Sequence, residues 1–107
     1  MPPTPDPKQQ VFTLLVQVGR APDDGLPADA SGAALVCYAT GADEAEAVRE
    51  TVAILRQAAL SPLDVQGYGT LDERLAQGDD IPPEERALMD RARDENAVIV
   101  AQMTPLD

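Results

Sequence analysis

The sequence predicts an α+β fold: a two-layer sandwich on a four-stranded mixed sheet, with elements in the order β-β-α-β-α-α-β. Three observations lead there. Two apolar, β-branched runs, residues 10–18 and 34–39, come before any helical pattern. Residues 43 to about 60 carry Ala45, Val48, Val52, Leu55 and Ala59 at spacings of three and four, one dry stripe of an amphipathic helix. A half-apolar strand, two helix starts and a last apolar strand then fill the remainder. A small three-layer α/β sheet is the alternative arrangement of the same elements.

Taken in order, residues 1–8 hold four prolines, at positions 2, 3, 5 and 7, and predict an extended tail ahead of a single domain over residues 9–107. In the first strand Phe12, Leu14, Val16 and Val18 alternate onto one face, while Val11, Thr13, Leu15 and Gln17 form a half-apolar opposite face. Residues 20–32 have no period of either kind and predict a long loop, a candidate contact region. The second strand leads to Thr40, placed to cap the long helix, with Asp43 and Glu44 in the favourable field of its first turn and Pro62 as its stop. Residues 63–67 alternate, with Leu63 and Val65 inward and Asp64 and Gln66 outward, as an edge strand does. Thr70 and Glu73 have the spacing of a capping box, and Leu71 with Leu75 gives one apolar turn before Gly78. Pro82, Pro83, Glu84 and Glu85 open the third helix, and Asn96 is a left-handed stop. Residues 97–103 form the last strand, ended by Pro105.

The 107 residues carry a formal charge of −11. Affinity for a phosphate backbone comes from Lys and Arg, so this balance argues against nucleic acid and against an anionic membrane surface. It fits solubility (the commonest cause of such a balance), a basic protein partner, or mimicry of nucleic-acid charge. The single cysteine, Cys37, excludes an internal disulfide and sits mid-strand, as an inert buried thiol does. The leader lacks the apolar core of a signal peptide, which points to the cytoplasm. Seven Arg against one Lys, with abundant Ala, is a usage associated with GC-rich bacterial genomes.

No motif dictates an activity. With no His and one Cys, ligands for zinc are missing, and Asp79, Asp80, Glu84 and Glu85 lack the alternation and central Gly of a calcium loop, so neither metal nor cofactor is expected. The absence of His also removes the usual proton carrier near neutral pH and leaves a carboxylate with a Tyr, such as Asp43 or Asp72 with Tyr38 or Tyr68, as the only general acid–base pair on offer. One repeated detail stands out. Tyr38, Thr40 and Gly41 at one strand-to-helix corner, and Gly67, Tyr68, Gly69 and Thr70 at another, bring hydroxyls and open backbone to places where parallel α/β sheets bind ligands.

Three of the four strands are apolar on both faces, so each face needs cover, from helices divided between the two sides or from a second copy. The leading expectation is therefore a homodimeric, non-enzymatic interaction or regulatory module that meets a basic partner through Asp79, Asp80, Glu84 and Glu85. The alternatives are a small-ligand sensor with its pocket at the tyrosine corners, and a small enzyme using carboxylate and tyrosine chemistry.

Overall fold

Strand β1 (Gln10–Gly19) pairs antiparallel with β2 (Gly32–Gly41), from Gln10 opposite Gly41 to Val18 opposite Ala33. The structure is a computed structural model that describes residues 10–106, so the proline-rich leader lies outside it. β3 (Ser61–Thr70) pairs with the other side of β1, and β4 (Val98–Leu106) with the other side of β2, giving the order β3-β1-β2-β4. With α1 (Glu44–Gln57), α2 (Leu71–Ala76) and α3 (Pro83–Glu95) this is an α+β fold on a four-stranded antiparallel sheet.

The mixed sheet expected from the crossovers is thus corrected. The α1 crossover does make β2 and β3 run in one direction, but β1 lies between them, and every adjacent pair is antiparallel. The second crossover carries the chain from one edge of the sheet to the other, so β3 and β4 never meet. Pro105 does not end β4. It lies on the edge strand opposite Ala33, where a missing N–H leaves no ladder bond unmade in the interior.

The helices divide between the two faces. On one, Phe12, Leu14, Val16 and Val18 of β1 and Ala33, Leu35, Cys37 and Ala39 of β2 pack with Ala47 and Leu55 of α1. On the other, Val11, Val36 and Tyr38 pack with Leu71 of α2 and Met89 and Ala92 of α3. Period-two alternation along β2 feeds both cores, so the layers are helix, sheet, helix. The expected two-layer sandwich is thereby corrected to three layers, although on an antiparallel sheet and not the parallel one of the α/β alternative. The cover that a second copy was expected to give the sheet faces comes from the chain's own helices.

Local details revise the sequence reading in five places. Asp43, not Thr40, caps α1, accepting from the Glu46 amide at 2.8 Å. The helix stops before Pro62, at Ala59, whose φ of 66° turns the chain while the Leu60 amide donates back to Leu55 O. The dry stripe of α1 is Ala47, Thr51 and Leu55, one position round from that expected: Thr51 can be buried because its hydroxyl donates to Ala47 O at 2.8 Å. Leu63 is two-thirds exposed, the extra residue of a bulge between the Asp64–Gln17 and Pro62–Val18 pairs, and only Leu71, not Leu75, is buried in α2.

The loop 20–31 is a tied structure. Arg20 Nη1 donates to the carbonyls of Pro27 and Ala30 at 2.6 Å each, and its Nε to Asp24 Oδ2 at 3.1 Å. Asp24 in turn accepts from the amides of Ala21 and Leu26, and Leu26 is buried in the α1-side core. No helix among the described residues is long and apolar enough to cross a membrane.

Candidate binding site at the β3–α2 corner

β2 and β3 end at the same end of the sheet, since Gln10 lies opposite Gly41 and Phe12 opposite Thr70. Both predicted corners therefore lie together at that end, but the sheet and helices sort their residues into different clefts. Gly67, Tyr68 and Gly69 line a cleft of about 540 Å³ with Phe12, Glu44, Glu73 and Gln77. Thr40 lines another, of about 360 Å³, on the far side of α1 with Glu46, Ile54 and Val98. Its hydroxyl donates to Ala92 O at 2.8 Å, tying β2 to α3. Gly41 is buried, and a Cβ there would press on the Ala47 amide in the first turn of α1.

The larger cleft follows from local sequence. Gly69, at φ 93°, turns the strand into α2, and two residues, Tyr68 and Gly69, stand against one on β1 in a second bulge. The bulge leaves the Tyr68 ring 51 % exposed, its hydroxyl donating to Gln66 Oε1 at 3.4 Å. Thr70 caps α2 by the reciprocal pair the spacing predicts: the Glu73 amide donates to Thr70 Oγ1 and the Thr70 amide to Glu73 Oε1, each at 3.1 Å. That bond fixes the Glu73 carboxylate on one wall. Glu44, the first residue of α1, lines the same cleft, its carboxylate lying where a Cβ on Gly67 would be. Gly67 is thus what lets the helix start close over β3. None of the seven lining residues is basic.

Tyr68 and Gln77 also wall a neighbouring cleft of about 380 Å³, with Thr13, Val36, Arg74, Asp79 and Glu85. Here the polar groups satisfy one another. The Tyr38 hydroxyl donates to Glu85 Oε1 at 2.8 Å, and Arg74 donates from Nη1 to Thr13 Oγ1 and from Nε to Asp79 Oδ2, each at 3.1 Å. Burial first, then the Glu85 carboxylate, pushes Tyr38 up to about 12, against the smaller opposing pull of Arg74. A tyrosine held neutral there serves as a buried strut between β2 and α3. The carboxylate–tyrosine pair in the structure is therefore Tyr38 with Glu85, and the pairs suggested with Asp43 or Asp72 are not formed. Asp43 caps α1.

Of the four acids at the start of α3 and in the turn before it, Asp79 pairs with Arg74 from an exposed position, Glu85 is half-buried and accepts from Tyr38, and Asp80 and Glu84 are exposed. Cys37 is buried in the α1-side core, and burial raises its thiol to about 11. Among the described residues no group of three or more His, Cys, Asp or Glu could hold a metal ion. Sequence reasoning missed Arg74, which pairs across 61 residues, and the part played by Glu44 and Glu73 beyond capping and helix charge. The one available signal was the placing of a glycine, Gly67, two residues before another in a strand that had no turn to make.

A family model described as a domain of unknown function (DUF8846) matches residues 11–107. The chain belongs to that family. The DUF8846 match takes in all four strands, apart from Gln10 at the start of β1, and every residue that lines the corner cleft. No curated protein and no solved structure matches the chain.

Proposed function

We propose that the chain is a cytoplasmic, non-enzymatic binding module that takes an ammonium or guanidinium group of a basic protein partner in the β3–α2 corner cleft. One observation carries the reading: Glu44 and Glu73 face the same cleft beside the exposed ring of Tyr68, with no basic residue among its lining. Two carboxylates supply attraction and charge-assisted hydrogen bonds, an aromatic face adds a cation–π contact, and the net charge of −11 draws a cation toward the surface. The exposed Asp80 and Glu84 serve as outer contacts for the same partner.

A small cationic metabolite in the same cleft is the second reading, supported by a volume of about 540 Å³, within the range of small-molecule sites. Titration with a Lys/Arg-rich peptide, followed by tyrosine fluorescence and calorimetry, separates these. Capture that weakens as salt is raised, and is lost in Tyr68→Ala and in the Glu44→Gln/Glu73→Gln double variant, is the expected result. Glutamine at position 73 keeps the capping box, so loss in the double variant reports charge and not helix fraying. Peptide binding untouched by these changes but lost in Asp80→Asn/Glu84→Gln would move the function to the acidic turn. A free polyamine or arginine binding as tightly as the peptide would favour the metabolite.

A further inference from the structure

The two edges of the sheet are guarded very differently. Along β3 an incoming strand meets Pro62, the charge of Asp64, Gly67 and Gly69, and two breaks in register. These are the devices by which edge strands avoid pairing with other chains. β4 lies at the opposite edge and, among the described residues, is bonded on one side only, to β2. Residues 97–106 contain no charged side chain in a chain that is 25 % charged, and the only guards are Pro105 near one end and a single bulge at Ala101. Val100 and Met103 are 40 % and 44 % exposed there. Opposite Cys37 and Leu35, they lie on the α1 side of the sheet, where Ile54 of α1, 41 % exposed, shares a cleft with Val98.

We infer that β4 is the pairing edge for a second copy of this chain, the two β4 strands running antiparallel about a twofold axis to make one eight-stranded sheet. A twofold axis brings a surface onto itself, and a charge-free strand is the one edge of so acidic a molecule that can meet its own copy without like charges opposed. No proline interrupts residues 98–104, so the N–H groups of this stretch that point away from β2 are all present for the ladder, and Val100 and Met103 are covered by their counterparts. A basic partner gains nothing from this edge, which offers it no carboxylate. Pairing here goes beyond the corner-cleft reading and uses none of its residues.

The charge gives the pairing a distinctive sign. Each protomer brings −11, so the pair is held apart at long range by repulsion that salt screens, and raising salt strengthens the dimer while it weakens capture of a cation by Glu44 and Glu73. The test is sedimentation of the full chain over a range of concentrations at low and high sodium chloride, with far-UV circular dichroism on each variant. The expected result is a mass of two chains, favoured by salt, with Val100→Lys and Gln102→Lys each weakening the dimer by about tenfold or more while Gln66→Lys on β3 leaves it unchanged. All three replaced side chains are exposed, so the fold is retained. A mass of one chain at every concentration and salt, a dimer that survives both β4 lysines, or one lost only in Gln66→Lys would overturn the inference, whatever the peptide titration shows.

Discussion

Tyr38 and Asp24 show how single side chains set the pH limits of this fold. Tyr38 is buried with its hydroxyl on Glu85, and its ionisation lies well above that of a free tyrosine, at about 12. A raised value means that the unfolded chain loses this proton first. The contribution is whole below pH about 10 and drains away as pH rises from there through about 12. Tyr38→Phe is expected to cost about 1 kcal/mol at neutral pH, the net worth of such a hydrogen bond. It should also flatten the alkaline fall in stability, which urea titrations at a series of pH values would show. Asp24 has the opposite sign. The amides of Ala21 and Leu26, then Arg20, hold its carboxyl below the ordinary 3.8. Its contribution is present above that value and is lost as pH falls below it. Asp24→Asn should therefore destabilise the protein at pH 7, and the gap to the parent should close in acid. A gap of constant size from pH 7 to pH 2 would mean that charge plays no part in tying the loop.

Among the elements, the ones legible in the sequence are those whose signals are local. Thr70 and Glu73 form the capping box their spacing announces, Asn96 ends α3 at φ 49°, Gly78 ends α2 at φ 86°, and the alternation of Phe12, Leu14, Val16 and Val18 gives the buried face of β1. The end of α1 was missed because it rests on a residue with no preference for the job. Ala59 sits at φ 66° while the amides of Ala58, Ala59 and Leu60 close the last turn. A left-handed alanine costs about 1–2 kcal/mol. Glycine relieves that strain but gives back part of the gain through a freer unfolded chain. Ala59→Gly is thus expected to raise stability by about 0.5–1 kcal/mol, seen as a higher urea midpoint at unchanged slope. A lower midpoint would show that the Ala59 methyl packs more firmly than its partial exposure implies. The corner cleft was half legible on the same grounds. The Tyr, Gly and Thr pattern repeated at the two strand-to-helix corners points to Gly67, Tyr68 and Gly69, while Glu44 reaches the cleft only because α1 crosses over β1 to lie against β3.

Across the whole molecule, strand order was the part the sequence could not convey. Which strands become neighbours depends on contacts such as Phe12 with Thr70 and Tyr38 with Ile99, separated by about half the chain, and no local pattern records them. What the sequence did carry was the need for cover on both faces of β1 and β2, and the structure meets it by splitting the helices between them. This division has a consequence for unfolding. The two cores are separate sets of side chains, yet they alternate along one strand: Leu35, Cys37 and Ala39 enter the α1 side, and Val36 and Tyr38 the α3 side. Losing α3 exposes half of the β2 face while leaving the other half packed, so β2 itself couples the layers. Met89, fully buried at the centre of the α3-side core, tests that coupling. Met89→Ala is expected to cost about 2–4 kcal/mol through lost burial and the cavity left behind. With no Trp present, tyrosine emission is dominated by Tyr38 under α3 and Tyr68 at the corner, whereas far-UV circular dichroism reports helices and sheet together. If β2 couples the layers, both probes follow one transition in the parent and in Met89→Ala, merely shifted to lower urea. A tyrosine transition that precedes the loss of circular dichroism would show instead that α2 and α3 detach as a unit of their own, with α1 and the sheet still folded.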